Sequence, residues 1–185
     1  SVPFYDEMQR MSAELAADFA TDGSNVYDIG CSTGTTIRAF DKVIGAKNIT
    51  FRGVDNSHEM LARAREKLEA TPLDHPFALD YGDLNKGIAI ENASVVSFIL
   101  TLQFVRPLYR ERVVKQIFDG LNPGGALIII EKLTSEDSTF NRLFIQHYYE
   151  FKKRNGYSEM EIANKREALE NVLIPYRMDE NFELL

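Results

Sequence analysis

The chain has 185 residues, 44% of them apolar and 26% charged, and a formal net charge of −7. That length suits one globular unit that buries its core without staples, and the acidic balance sits poorly with a broad grip on nucleic-acid phosphate. Cys31 is the only cysteine, which excludes an intramolecular disulfide and makes a reducing, cytoplasmic setting the expectation; no apolar run reaches the ~18 residues of a membrane span.

The chain opens at Ser1 with no signal pattern and no initiator methionine, so it is expected to be cut at that end. Met8, Met11, Leu15 and Phe19 recur at three- and four-residue steps and predict a helix over Tyr5–Phe19. Val26–Ile29 reads as a short strand that stops at Gly30, and Thr35–Val43 as the next helix. Thr50–Val54 is a second strand ending at Asp55. Ser57–Glu69 carries Met60, Leu61, Ala64 and Leu68 on one face, with Asn56 or Ser57 as its N-cap. Phe77–Asp80 is a third strand. Val95–Leu100 is a continuous apolar run, the mark of a strand buried on both faces. Pro107 opens a helix to Asp119, Leu121–Gly125 is a turn rich in Pro and Gly, and Ala126–Ile130 is a fifth strand. Phe140–Arg154 is a long helix, Ser158-x-x-Glu161 a capping box that opens another through Asn171, and Asp179 the cap of a last one.

Alternating strands and helices predict an α/β fold: a doubly wound, mostly parallel sheet with right-handed crossovers. The stretch 135–175 reads as a helical insert after the fifth strand, a lid or partner surface. Residues 1–185 are otherwise one domain.

The loop after the first strand is the chemical focus, because ligands of open α/β sheets bind at the carboxyl ends of the strands. Gly30-Cys31-Ser32-Thr33-Gly34 fits three chemistries. It approaches the dinucleotide fingerprint G-x-G-x-x-G but lacks the middle glycine. It matches the nucleophile elbow G-x-S-x-G literally, with Ser32 as nucleophile, although only a helix precedes the strand. It also suits S-adenosyl-L-methionine, which has no pyrophosphate. In that reading Asp28 faces the ammonium, Asp55 takes the two ribose hydroxyls, and Asp83 with Leu84 meets the adenine. His58, His75 and His147 show no metal-ligand spacing, so no metal is expected. Plainer roles stay open: Tyr5 as a staple of the first helix, Arg166 on a solvated helix face, Tyr148-Tyr149 as core.

Taken with SVPFY (1–5), VDNS (54–57), IAIENAS (88–94), TLQF (101–104), GLNPGGAL (120–127), Glu131-Lys132 and FKKRNGYSEMEIANKREALEN (151–171), the loop resembles the carboxy-S-adenosyl-L-methionine synthase family. That family belongs to the class I S-adenosylmethionine-dependent methyltransferase superfamily, and the resemblance spans essentially the whole chain. It implies a Rossmann-like fold and an enzyme that uses S-adenosyl-L-methionine as a substrate. Prephenate supplies a carboxyl group to the cofactor's methyl carbon and leaves as phenylpyruvate; the product feeds a tRNA-modifying enzyme. It further implies cofactor binding by Tyr5, Gly30, Cys31, Ser32, Asp55, Asn56, Asp83 and Leu84, beside Asp28 and Gly34 from the loop reading. It implies too that Arg166 binds the transferred carboxylate and that the chain forms a homodimer. Ile99 departs from the family's usual Asn. The fold ordinarily closes its sheet with a C-terminal hairpin that is not legible before Leu185, so an open edge is expected at the fifth strand. An ordinary methyltransferase acting on a small molecule or tRNA, and a non-catalytic cofactor-binding domain, are the alternatives.

Overall fold

The computed structural model describes residues 2–170 and 172–185. In chain order it contains α1 (Tyr5–Phe19), β1 (Asn25–Ile29), α2 (Thr35–Asp41), β2 (Thr50–Asp55), α3 (His58–Ala70), β3 (Phe77–Tyr81) and β4 (Ala93–Ile99). A 3₁₀ turn (Leu102–Phe104), α4 (Pro107–Gly120), β5 (Leu121–Ile130), α5 (Ser138–Arg154), α6 (Glu159–Leu169) and α7 (Met178–Leu184) follow. The five strands form one parallel sheet in the order β3-β2-β1-β4-β5. This is the doubly wound α/β architecture, with its switch point between β1 and β4.

The strand periodicity of two builds a core on each face. Val26, Phe51, Val95 and Ile128 pack with Ala13 and Ala16 of α1, Ile37 and Phe40 of α2, and Leu68 of α3. Their neighbours Tyr27, Ile29, Val96 and Phe98 pack with Val113 and Ile117 of α4 on the other face. β4 is buried through Phe98, as its unbroken apolar run requires.

Several boundaries move for local reasons. Ser57 is the N-cap of α3, accepting from the Met60 N–H, and the capping box of Ser158 and Glu161 is formed. The helix after it ends at Leu169, and its expected last residue, Asn171, lies outside the described residues. α2 stops at Asp41, two residues short of Val43, and continues as a turn to Phe40 O. α5 starts two residues before Phe140, because the Asp137 carboxylate accepts from Thr139 and Phe140. Asp179 is no cap: Arg177 holds that position and Asp179 pairs with it from the first turn. The expected turn at 121–125 lies inside the β5 ladder. Leu121 pairs with Ala93 and Ala126 with Val95, so residues 122–125 loop outward, with Gly124 at φ +78°.

One polar side chain ties distant segments together. Arg110 is 1% exposed. Its guanidinium donates to the carbonyls of Val105, Gln103 and Ile174 and stacks 4.0 Å over the Tyr176 ring. It thereby joins α4, the 3₁₀ turn and the segment leading to α7. Arg110→Met keeps the bulk and strips these carbonyls of their donor. Unfolding in urea should show a loss of about 2–4 kcal/mol, from one or two unpaired buried acceptors; an unchanged midpoint would show that the latch carries no stability.

Candidate functional site

The carboxyl ends of β1, β2, β3 and β4 meet at one edge of the sheet. β1 stops because Gly30 turns to φ +77°, and the N–H groups of Gly30 and Cys31 both donate to Val54 O, at 2.7 and 3.0 Å. Only glycine fits there for a second reason: an ideal Cβ would lie 2.2 Å from Thr101 Oγ1. Ser32 also takes a positive φ, +47°, which carries its N–H to Asp55 Oδ2 at 2.9 Å. The other oxygen, Oδ1, accepts from the Ser57 N–H at 2.9 Å. One carboxylate thus fastens the β1 loop to the start of α3. Gly34, at φ +72°, is the left-handed residue that opens α2.

Between these loops lies a cavity of about 420 Å³. Gly30, Ser32, Asp55, Asn56, Asp83 and Leu84 line it, all expected from sequence. Gly82, which precedes Asp83, and Met60 of α3 also line it; the helical spacing of Met60 marked it as core rather than as a site residue. Asn85, Leu100, Thr101, Phe104 and Val105 were not named as site residues, because they lie in turns with no periodic signal. Ile99, where the family usually has Asn, adds an apolar patch. Leu100 sits at φ +55°, a conformation that costs a branched side chain about 1–3 kcal/mol and marks functional turns. Two carboxylates beside Met60, Leu84 and Phe104 make a slot suited to a nucleoside. Apolar walls hold a flat base, and the acid oxygens accept hydroxyl protons.

The Thr101 turn has its own anchor. Glu131, just past β5, accepts from the N–H groups of Thr101, Leu102 and Gln103 at 2.9, 2.6 and 3.3 Å. Burial pushes its carboxyl up to about 7, against the pull of those three bonds. The partnership was not legible in sequence, since donors and acceptor lie 28 to 30 residues apart.

Other expected site residues lie elsewhere. Asp28 is buried behind the loop; Oδ1 accepts from Ser97 Oγ at 2.9 Å, and among the described residues Oδ2 has no hydrogen-bond partner. Burial pushes this carboxyl up to about 7, and the nearby Asp55 charge adds to the rise. A buried carboxylate oxygen without a partner is what a cationic group would satisfy, so the residues present fit a sulfonium amino acid. The Tyr5 phenol accepts from Gln9 and is raised first by burial, with Asp28 adding; Tyr5 lines a separate pocket with Phe4 and Glu7. Cys31 belongs to the core between the loop and α2, and burial holds its thiol well above the usual range, which makes it a poor nucleophile. The Ser32 hydroxyl donates to Met60 Sδ at 3.7 Å, and among the described residues no histidine bonds to it, so the nucleophile-elbow geometry is not formed. Arg166 is not in this cavity. It lines a groove of about 380 Å³ between α5 and α6, with Arg142, Ile145 and Tyr149. Among the described residues no cluster of three His, Cys, Asp or Glu could hold a metal, and no helix is long and apolar enough to cross a membrane.

Residues 26–125 match the family model described as a methyltransferase domain. The whole chain is 58% identical to the carboxy-S-adenosyl-L-methionine synthase of Methylococcus capsulatus, covering 76% of that protein. It is 44% identical to the enzyme of the same name from Desulfotalea psychrophila, covering 75%. Among solved structures, the Bacillus YcgJ protein aligns over 97% of this chain and 66% of its own, with a TM-score of 0.69 at 14% identity. A SAM-dependent methyltransferase from Aquifex aeolicus aligns over 74% of this chain and 71% of its own, with a TM-score of 0.55 at 20% identity. These two likenesses speak for the fold.

The raised carboxyl of Asp28 sets a pH dependence. Its folded value, about 7, lies above the ordinary 3.8. The folded state therefore holds a proton that the unfolded state has released. Stability from this group is complete below about pH 4 and is lost as pH rises toward 7. Asp28→Asn should flatten that decline, worth ~1.4 kcal/mol for each tenfold change in proton affinity. Urea unfolding of both proteins between pH 4.5 and 7.5 measures it; parallel curves would exclude Asp28 as the source.

Proposed function

The chain belongs to the carboxy-S-adenosyl-L-methionine synthase family, and on that premise we propose that it converts S-adenosyl-L-methionine and prephenate to carboxy-S-adenosyl-L-methionine and phenylpyruvate. The observation that carries this reading is the 58% identity to a synthase of that name over the whole chain. The cavity at the switch point of the sheet supports it.

In this reading Asp55 takes the ribose hydroxyls. Its two oxygens offer about four acceptor sites, and two are used by Ser32 and Ser57. Asn56 flanks it. Asp83 and Leu84 hold the adenine, and the backbone of Gly30, Cys31 and Ser32 passes close to the cofactor's chain. Asp28 and Tyr5 face its amino-acid end from beneath, while Gly34 shapes the turn. The sulfonium acidifies its methyl group. The bond from the prephenate ring to its carboxylate breaks, the ring becomes aromatic, and hydroxide leaves from the opposite carbon. That hydroxide takes the methyl proton as water, and the methyl carbon bonds to the released carbon dioxide. Water must be kept from the reacting carbon, a task suited to Ile99, Leu100 and Phe104 in the wall.

Arg166 is assigned to the transferred carboxylate, for which its planar fork is the natural partner. It lines the α5–α6 groove rather than the cofactor cavity, so the reading needs a second copy to bring it there. Phe140, Phe144, Ile145 and Met160 are exposed on the same insert and would be covered in such a homodimer. The insert is then a partner surface rather than a lid. The product would serve a tRNA-modifying enzyme in the cytoplasm.

Incubation with S-adenosyl-L-methionine, with and without prephenate, should give a cofactor heavier by one carboxyl group only when prephenate is present, read by mass spectrometry. Methyl transfer to tRNA without that product would make the protein an ordinary methyltransferase, and no turnover with retained cofactor binding would make it a binding domain. Asp55→Ala should weaken cofactor binding at least about tenfold in calorimetry, the worth of one charge-assisted hydrogen bond. Arg166→Ala should abolish carboxyl transfer while the cofactor still binds. At a cofactor concentration too low to load Asp55→Ala, mixing it with Arg166→Ala should give more activity than either alone; a mixture no more active than its components would refute action across the dimer.

A further inference from the structure

Past the end of β5 the chain gathers positive charge at one aromatic ring, and among the described residues no ion pair balances it. Lys132 follows Glu131 at the end of β5, and its Nζ lies 5.0 Å from the centre of the Tyr148 ring. The Lys152 Nζ lies 4.7 Å from the centre of the same ring. Lys152 is only 7% exposed, a rare state for a lysine without a counter-charge. Burial pushes both ammonium groups below the usual lysine range, and the charge of Lys165 on α6 pushes both further. Lys132 also adds to the depression of Lys152.

The contrast with the next residue is informative. Lys153 pairs with Glu150 and Glu159. Among the described residues, no carboxylate comes within ion-pair distance of Lys132, Lys152 or Lys165. The nearby Glu131 does favour the charged form of Lys132, but its oxygens already accept from three backbone N–H groups. One aromatic face offsets a cation only weakly, too little for Lys132 and Lys152 partly withdrawn from water, with the charge of Lys165 added from the surface.

We propose that Lys132, Lys152 and Lys165 form a carboxylate-binding site that anchors the carboxylate prephenate keeps when it becomes phenylpyruvate. The placement supports this, and the proposal rests on the function proposed above. Lys132 is the chain neighbour of Glu131, which holds the Thr101 and Leu102 N–H groups, and Thr101 lines the cofactor cavity. The chemistry assigns the lysines to the retained carboxylate. Arg166 is already assigned to the transferred carboxylate, which leaves the lysines for the carboxylate that prephenate keeps; that group takes no part in bond breaking, so fixing its charge adds affinity without holding back the reaction.

Lys132→Gln and Lys165→Gln should each raise KM for prephenate about tenfold, the worth of one charge-assisted contact, with calorimetric affinity for S-adenosyl-L-methionine unchanged. Lys132→Arg should recover most of the loss. An unchanged KM in both variants, or an equal fall in cofactor affinity, would overturn the proposal. Direct titration separates it from the reaction itself. Phenylpyruvate should bind the wild-type chain with cofactor present and bind Lys132→Gln about tenfold more weakly. Inorganic phosphate binding as tightly as phenylpyruvate would overturn the commitment to a carboxylate. Lysine-dependent phenylpyruvate binding by a wild-type chain that forms no carboxylated cofactor would refute the proposed reaction and leave the site standing.

Discussion

The geometry of the cavity at the switch point of the sheet depends on the Asp55 carboxylate. One oxygen accepts from Ser32 in the loop after β1, the other from Ser57 at the head of α3. Bonds from backbone N–H to a carboxylate are among the stronger ones in proteins. These two hold a loop with Ser32 at positive φ and an N-cap in fixed relation to the end of β2. The glycine-rich loop acquires its shape from a residue outside its own segment. The same carboxylate keeps acceptor capacity for a ligand, so the group that builds the site is also a group that can bind.

Glu131 performs a parallel task on the opposite wall, reaching from the end of β5 to the three N–H groups of the Thr101 turn. Arg110 holds the far side of that turn by its carbonyls and fastens it to the segment before α7. The turn is thus gripped by an anion on its donors and a cation on its acceptors. Both gripping residues are substantially buried. That arrangement supports Leu100 in a left-handed conformation that a leucine does not choose alone.

The sheet was legible in the sequence because each strand carries its own signal. Val95–Phe98 is apolar without a break, and Val26, Thr50 and Phe77 open short runs bounded by polar or glycine turns. Asp55 and Asp83 were legible as residues that line the cavity because they follow strand ends, where an α/β fold collects its ligands. Arg166 shows the limit of such reading. Its neighbours give it a place on a helix, but which groove that helix lines is decided by the packing of α5 on α6, which no local periodicity encodes. Cys31 and Gly34 stand inside the correct motif and yet serve the core and a helix start. The role of Glu131 was beyond reach for the same reason as that of Arg166: its partners lie 28 to 30 residues away and meet it only after folding.

The close approach of Gly30 to Thr101 has a consequence for motion. With less than a methyl group's clearance between the two turns, neither can swing toward the other. Each is also fastened outward, one to Asp55 and the other to Glu131. The two walls of the cavity therefore behave as a single rigid body at the switch point. Any gating of the cavity then belongs to its other lining segments, among them Asp83–Asn85, rather than to the glycine loop.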